Sequence, residues 1–166
     1  MSILVGIPVL LILLMLQSAV VTTLPLIQGT ADLILLTLVA WSLQERVPSS
    51  YEWAVMGGLM SGAITKLPFF IPIIGYLSVA AIARLLRRQV WQSPFLAMFI
   101  TTFLGTLFVH ALSWAALAIQ GTVLPLVDSL NLVVLPATLL NLVLALPVYA
   151  VVTDLAQSIY PEEVNS

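Results

Sequence analysis

The stretch Gln89–Val127, QVWQSPFLAMFITTFLGTLFVHALSWAALAIQGTVLPLV, runs for 39 residues without a formal charge. About 20 mostly apolar residues are enough to carry a helix across a bilayer core of ~30 Å. A surface helix of a soluble domain would interrupt such a run with charges on its outer face. A second uncharged run, of 25 residues, extends from Ser129 to Thr153. The whole chain of 166 residues holds 5 Lys+Arg and 7 Asp+Glu, which makes it 7% charged and 61% apolar. Its mean hydropathy is +1.17. Soluble domains are about 25% charged, so a soluble globular enzyme is excluded. The fold class is all-α: a polytopic bundle of membrane helices forming a single transmembrane domain over residues 1–166.

Six spans are expected. The first is Ile3–Val21, retained rather than cleaved, since no Lys or Arg precedes its apolar run. It ends in a break at Thr22-Thr23-Leu24-Pro25, and Gln28-Gly29-Thr30 follows as a turn. The second is Thr30–Leu43, with Thr30 as N-cap and Asp32 in the first turn. Gln44–Ser50 is a polar loop, and Ser50 caps a third helix over Tyr51–Thr65. At ~1.5 Å per residue both helices are short for a full span, so they are expected to be buried in the bundle or extended irregularly. The fourth opens near Pro68 or Pro72, where proline suits a first turn, and ends at Arg88. The fifth is Pro94–Gln120, stopped by Gly121. The sixth is Leu130–Ser158, with kinks at Pro136 and Pro147. Pro161 and the polar tail Glu162–Ser166 close the chain.

Basic residues favour cytoplasmic loops. Placing Arg84, Arg87 and Arg88 inside also places Arg46 inside and leaves Lys66 as the one basic residue outside. Both termini are then cytoplasmic. The three clustered arginines serve as a cytoplasmic anchor to anionic headgroups, with Asp154 available as a partner.

Groups suited to chemistry are scarce. There is no cysteine, a single histidine and no metal-ligand spacing, nucleophile elbow or phosphate loop. No catalytic residue, cofactor or metal is expected, and the net charge of −2 makes nucleic acid a poor partner. Thr102, Thr106, His110 and Ser113 share one face of the fifth helix and form a buried polar stripe. It would either line a polar pocket or proton path, or hydrogen-bond between helices. On the third helix Ala54, Gly58 and Gly62 make a small-residue column, with Gly57, Ser61 and Thr65 in a second beside it. Such faces admit close helix contact, from the chain's own helices or from a partner's. In the connection Leu67–Ile74, Phe69, Phe70 and Ile71 form either an outer-rim partner contact or the plain start of the fourth span.

The order of several motifs resembles a known family. Ala31-Asp32-Leu33-Ile34-Leu35-Leu36, Gly58-Leu59-Met60, Gly75-Tyr76-Leu77 leading to Arg84 and Arg87-Arg88, and Leu135-Pro136-x-x-Leu139-Leu140-Asn141 with Ala145 and Tyr149 together resemble the MreD family of bacterial rod shape-determining membrane proteins. The resemblance covers about Ala31 to Leu155. It departs at Gly62, where many members place an acidic residue, and Lys66 then reverses the local charge. The resemblance implies a non-enzymatic role in the side-wall peptidoglycan (elongation) machinery of the inner membrane. The implied partners are an MreC-like bitopic protein, a RodA-type polymerase with its transpeptidase, MreB indirectly, and membrane lipids. The family is also similar in fold to the substrate-binding subunits of energy-coupling-factor transporters. That similarity implies a rival role, binding of a vitamin-like small molecule between the helices.

Overall fold

In a computed structural model the chain is described over residues 2–23, 29–89, 93–122 and 125–161. Six helices follow one another: α1 Ser2–Thr23, α2 Leu33–Leu43, α3 Ser50–Ile64, α4 Phe70–Gln89, α5 Pro94–Ile119 and α6 Leu126–Ile159. Among the described residues there is no strand. By length and composition α1, α4, α5 and α6 can each cross a membrane, so the protein is a helical membrane bundle. The expected break at 24–28 and the tail at 162–166 lie outside the described residues.

The short α2 is the centre of the bundle. Its sequence LILLTLVAWSL is apolar all round, and Ile34 to Leu43 are all buried. A helix without a polar face lies in a protein interior or among lipid tails. At 11 residues α2 is too short to cross the bilayer, so its ends need partners inside the protein. Its neighbours enclose it: α1, α3, α4, α5 and α6 all pack against it. Around it α3 packs on α4, α4 on α5 and α5 on α6, while α1 lies against α3. The core is made of Leu35, Leu38, Val39, Trp41, Trp53, Val79, Ala83 and Met98, with Trp41 stacked on Trp53 at 4.1 Å.

Several boundaries differ from expectation for local reasons. The N-cap of α2 is Asp32, not Thr30, because its carboxylate accepts the Leu35 N–H at 2.9 Å. Ser50 lies within α3, and Ser49 occupies the cap position without a side-chain cap bond. Ser49 instead takes part in a 3.0 Å hydrogen bond from the Ser2 hydroxyl. Helix α6 begins earlier than Leu130, and its Leu130–Val134 segment is a π turn. Proline cannot donate to the preceding turn, and the widened ladder just ahead of Pro136 accommodates that loss. Helix α5 stops as expected, with Gly121 at φ +83, a left-handed conformation that glycine adopts without penalty.

The helices alternate in direction. Ser2, the 44–49 connection, the C-terminal turn of α4 and the end of α6 share one end. There Arg84 donates to the Pro48 carbonyl at 3.4 Å, Arg87 to Gln44 at 2.6 Å and Arg46 to Tyr160 at 3.2 Å. Arg84 also lies 5.2 Å above the Tyr51 ring. Of the anchor residues, Arg84 and Arg87 thus bind backbone carbonyls of the 44–49 connection, and Asp154 is exposed and makes none of these contacts. The opposite end carries Asp32, the α3–α4 connection with Lys66, and the start of α6.

Candidate functional site

Toward the end opposite the arginines, polar side chains from five helices converge on the N-cap of α2. Asp32 is their meeting point, fixed in place by its capping role at α2. The Tyr76 hydroxyl of α4 donates to Asp32 Oδ2 at 2.9 Å, with Oδ1 at 3.2 Å. Ser61 of α3 lies 3.4 Å from the same hydroxyl. From α6, the fully buried Asn141 accepts the Asp32 backbone N–H on Oδ1 at 2.8 Å and donates from Nδ2 to Thr106 Oγ1 at 2.9 Å. From α1, Gln17 Oε1 accepts the Leu33 N–H at 3.1 Å. The exposed first amides of α2, which no intrahelical carbonyl can reach, are thereby satisfied. In a bilayer that is a requirement, since no water is at hand to do it.

This node borders a cavity of about 190 Å³. Leu14, Ile64, Leu67, Ile71, Pro72 and Val109 supply its apolar wall, and Gln17, Thr30, Asp32, Ser61, Thr65, Tyr76, His110 and Ser113 its polar one. The four-residue stripe of α5 is divided between roles. Thr102 and Thr106 are wholly buried, and Thr106 is bound by Asn141 while the Thr102 hydroxyl has no hydrogen-bond partner. His110 and Ser113 face the cavity and bond back to their own helix, Nδ1 to the Thr106 carbonyl at 2.8 Å and Oγ to Val109 at 2.8 Å.

Both small-residue columns of α3 are consumed internally. A Cβ on Gly58 would sit 2.5 Å from Ile73 Cα, and one on Gly62 would sit 3.0 Å from the Phe69 carbonyl oxygen, both belonging to α4 or its approach. A Cβ on Gly57 would meet Ile34 of α2 at 2.9 Å. Ala54 is fully buried, and Ser61 turns to Tyr76. The Ala54/Gly58/Gly62 face is therefore covered by the chain's own α4 and is not open to a partner helix. The rim residues also divide: Phe69 and Phe70 are 50% and 57% exposed, whereas Ile71 is 8% exposed and points into the cavity wall.

Helical spacing picks out the α5 stripe but not Tyr76 or Gln17, neither of which has a polar residue three or four positions away on its helix. Asp32, Asn141 and Thr106 meet, while Asn131 is exposed. Among the described residues no group of three His, Cys, Asp or Glu is placed to hold a metal ion. No protein-family model, curated protein or solved structure matches the chain.

Proposed function

We propose that the chain is a non-enzymatic scaffold of the bacterial cell-elongation machinery, an MreD-like protein that positions an MreC-like bitopic partner. It would lie in the inner membrane with both termini and the arginine end in the cytoplasm. A RodA-type polymerase with its transpeptidase, and MreB indirectly, would be brought together through that partner. One observation supports this reading above others. Three of the separate stretches that carry the resemblance meet at a single node, where Asp32 is bonded to both Tyr76 and Asn141. Leu-rich helices resemble one another by chance, but chance likeness gives no reason for the matching polar residues to touch.

With the α3 glycine face covered, the partner contact moves to the rim. Ile64, Phe69 and Phe70 are 59%, 50% and 57% exposed at the α3–α4 connection. Exposed apolar residues along a span face lipid tails, but a connection lies where hydrocarbon gives way to headgroups. Aromatic surface at that level suits protein contact. Co-purification tests the reading: Phe69→Ser/Phe70→Ser should reduce recovery of the MreC-like partner at least several-fold while the variant itself extracts and elutes normally. Full recovery would reject the rim as the contact.

The cavity favours a second reading, the vitamin-like binding subunit of an energy-coupling-factor type transporter, because polar groups from several helices surround it. Its volume of about 190 Å³ is below the ~300 Å³ usual for drug-sized ligands, which keeps it second.

A further inference from the structure

The hydrogens of the groups surrounding the cavity are largely committed already. Tyr76 gives its hydroxyl proton to Asp32, so at 3.4 Å it is Ser61 that donates to Tyr76 Oη. Ser113 donates to the Val109 carbonyl. A carbonyl oxygen can only accept, so His110 Nδ1 carries the proton shared with Thr106, and the neutral ring keeps Nε2 as an acceptor. Asp32 in its ionised form accepts only, and its three donors, Leu35 N–H, Ile34 N–H and Tyr76, leave acceptor capacity on its two oxygens. Gln17 is the exception, since its accepting oxygen is engaged by Leu33 and its amide hydrogens remain. Thr30 and Thr65 can serve either way.

The wall is thus rich in acceptors around one half-buried carboxylate, whose titratable neighbour across the cavity is His110. A charge placed this deep in a membrane domain calls for a partner. We propose that the cavity binds a ligand bearing an ammonium or protonated amine, with Asp32 as its counter-charge and His110 Nε2 and Ser113 Oγ as further acceptors. This deepens the ligand-binding reading of the cavity and rests on it, whereas the scaffold reading stands without it. The size fits: an apolar cavity of about 150 Å³ holds benzene, and this one is about 190 Å³. The amine can be a free small molecule or a phospholipid headgroup. The second source is physically open because an apolar groove of about 490 Å³ between α5 and α6 begins at the same His110 and Ser113 and could take an acyl chain.

Benzylamine and benzoate are matched in size and opposite in charge, and both can be titrated calorimetrically into the full chain in detergent, against protein-free micelles. Benzylamine should bind saturably and benzoate should not. Asp32→Asn, which keeps an oxygen to cap Leu35, should weaken benzylamine about tenfold or more, the loss of one charge-assisted contact. Equal binding of benzoate, or an unchanged affinity in Asp32→Asn, would overturn the proposal. If that variant does not fold, the contrast between the two probes on the unaltered chain decides. Native mass spectrometry from bilayers of ethanolamine and glycerol phospholipids separates the sources. Retained ethanolamine lipid that is lost in Asp32→Asn supports a headgroup, and benzylamine binding without retained lipid supports a free amine. Neither bound overturns both.

Discussion

Asn141 is fully buried and ties α6 to two other helices, through one bond to the Asp32 amide at the cap of α2 and one to Thr106 of α5. Replacing it with Leu keeps the volume roughly constant and removes both bonds. Hydrogen bonds between membrane helices average only about 0.6 kcal/mol by double-mutant cycles. The Asp32 N–H would then be buried without a partner, which costs about 1–3 kcal/mol. Asn141→Leu should therefore destabilise by roughly 2 kcal/mol in reversible unfolding in mixed micelles. Thr106→Val should cost about 1–3 kcal/mol for the same reason, since the buried Asn141 amide loses its acceptor. If the two variants prove equally mild, the Asp32 amide has found another acceptor and the node is not what holds α2 to α6. The pitch of three and four residues that puts Thr106 beside His110 is local and can be read from the chain. The pairing of Thr106 with Asn141, 35 residues away, is set by how α5 and α6 pack and leaves no local trace.

At the scale of elements, the legible features were those in which one helix decides its own fate. The shortness of α2 is legible in this way, because an apolar helix of 11 residues cannot cross the bilayer and its ends need partners inside the protein. The small-residue columns of α3 announce close contact, but a column looks the same whichever helix fills it. The structure fills one with α4 and the other with α2. Gly58 meets backbone, Ile73 Cα at 2.5 Å and its N at 2.9 Å, so a methyl group there cannot be absorbed by turning a side chain. Gly62 is looser, with its nearest neighbours at 3.0 and 3.1 Å. Overpacking of this kind costs about 1–3 kcal/mol and more when backbones must separate. Gly58→Ala should thus lower stability by about 3 kcal/mol and Gly62→Ala by about 1 kcal/mol, read as the loss of monodisperse protein on heating in detergent. A Gly58→Ala protein as stable as the parent would mean that α3 and α4 do not approach this closely. The π turn of α6 was not legible in the same way. Pro136 signals a disturbance, but whether a helix kinks or widens depends on what packs against it, and Gly29 lies against Val133, Pro136 and Ala137 at that place.

For the whole molecule, the arginines tie the membrane orientation to the packing. Arg46, Arg84 and Arg87 each donate to a backbone carbonyl at one end of the bundle, joining the 44–49 connection to α4 and to the end of α6. Lys66 lies at the other end, so of the 5 basic residues 4 are segregated to one side. Each basic residue near an anionic surface contributes about 1 kcal/mol, and the bias should hold that end in the cytoplasm. Both termini belong to the same end, because Ser2 bonds to Ser49 and Tyr160 receives Arg46. Reporters that fluoresce only in the cytoplasm should accordingly light up when fused to either terminus, and a dark C-terminal fusion on a folded protein would reverse the assignment. Replacing Arg84, Arg87 and Arg88 with Gln leaves one basic residue at each end, Arg46 against Lys66. Orientation should then become mixed, with cytoplasmic fluorescence of the C-terminal fusion falling toward half that of the parent. Undiminished fluorescence in the triple variant would mean that orientation is set elsewhere in the chain.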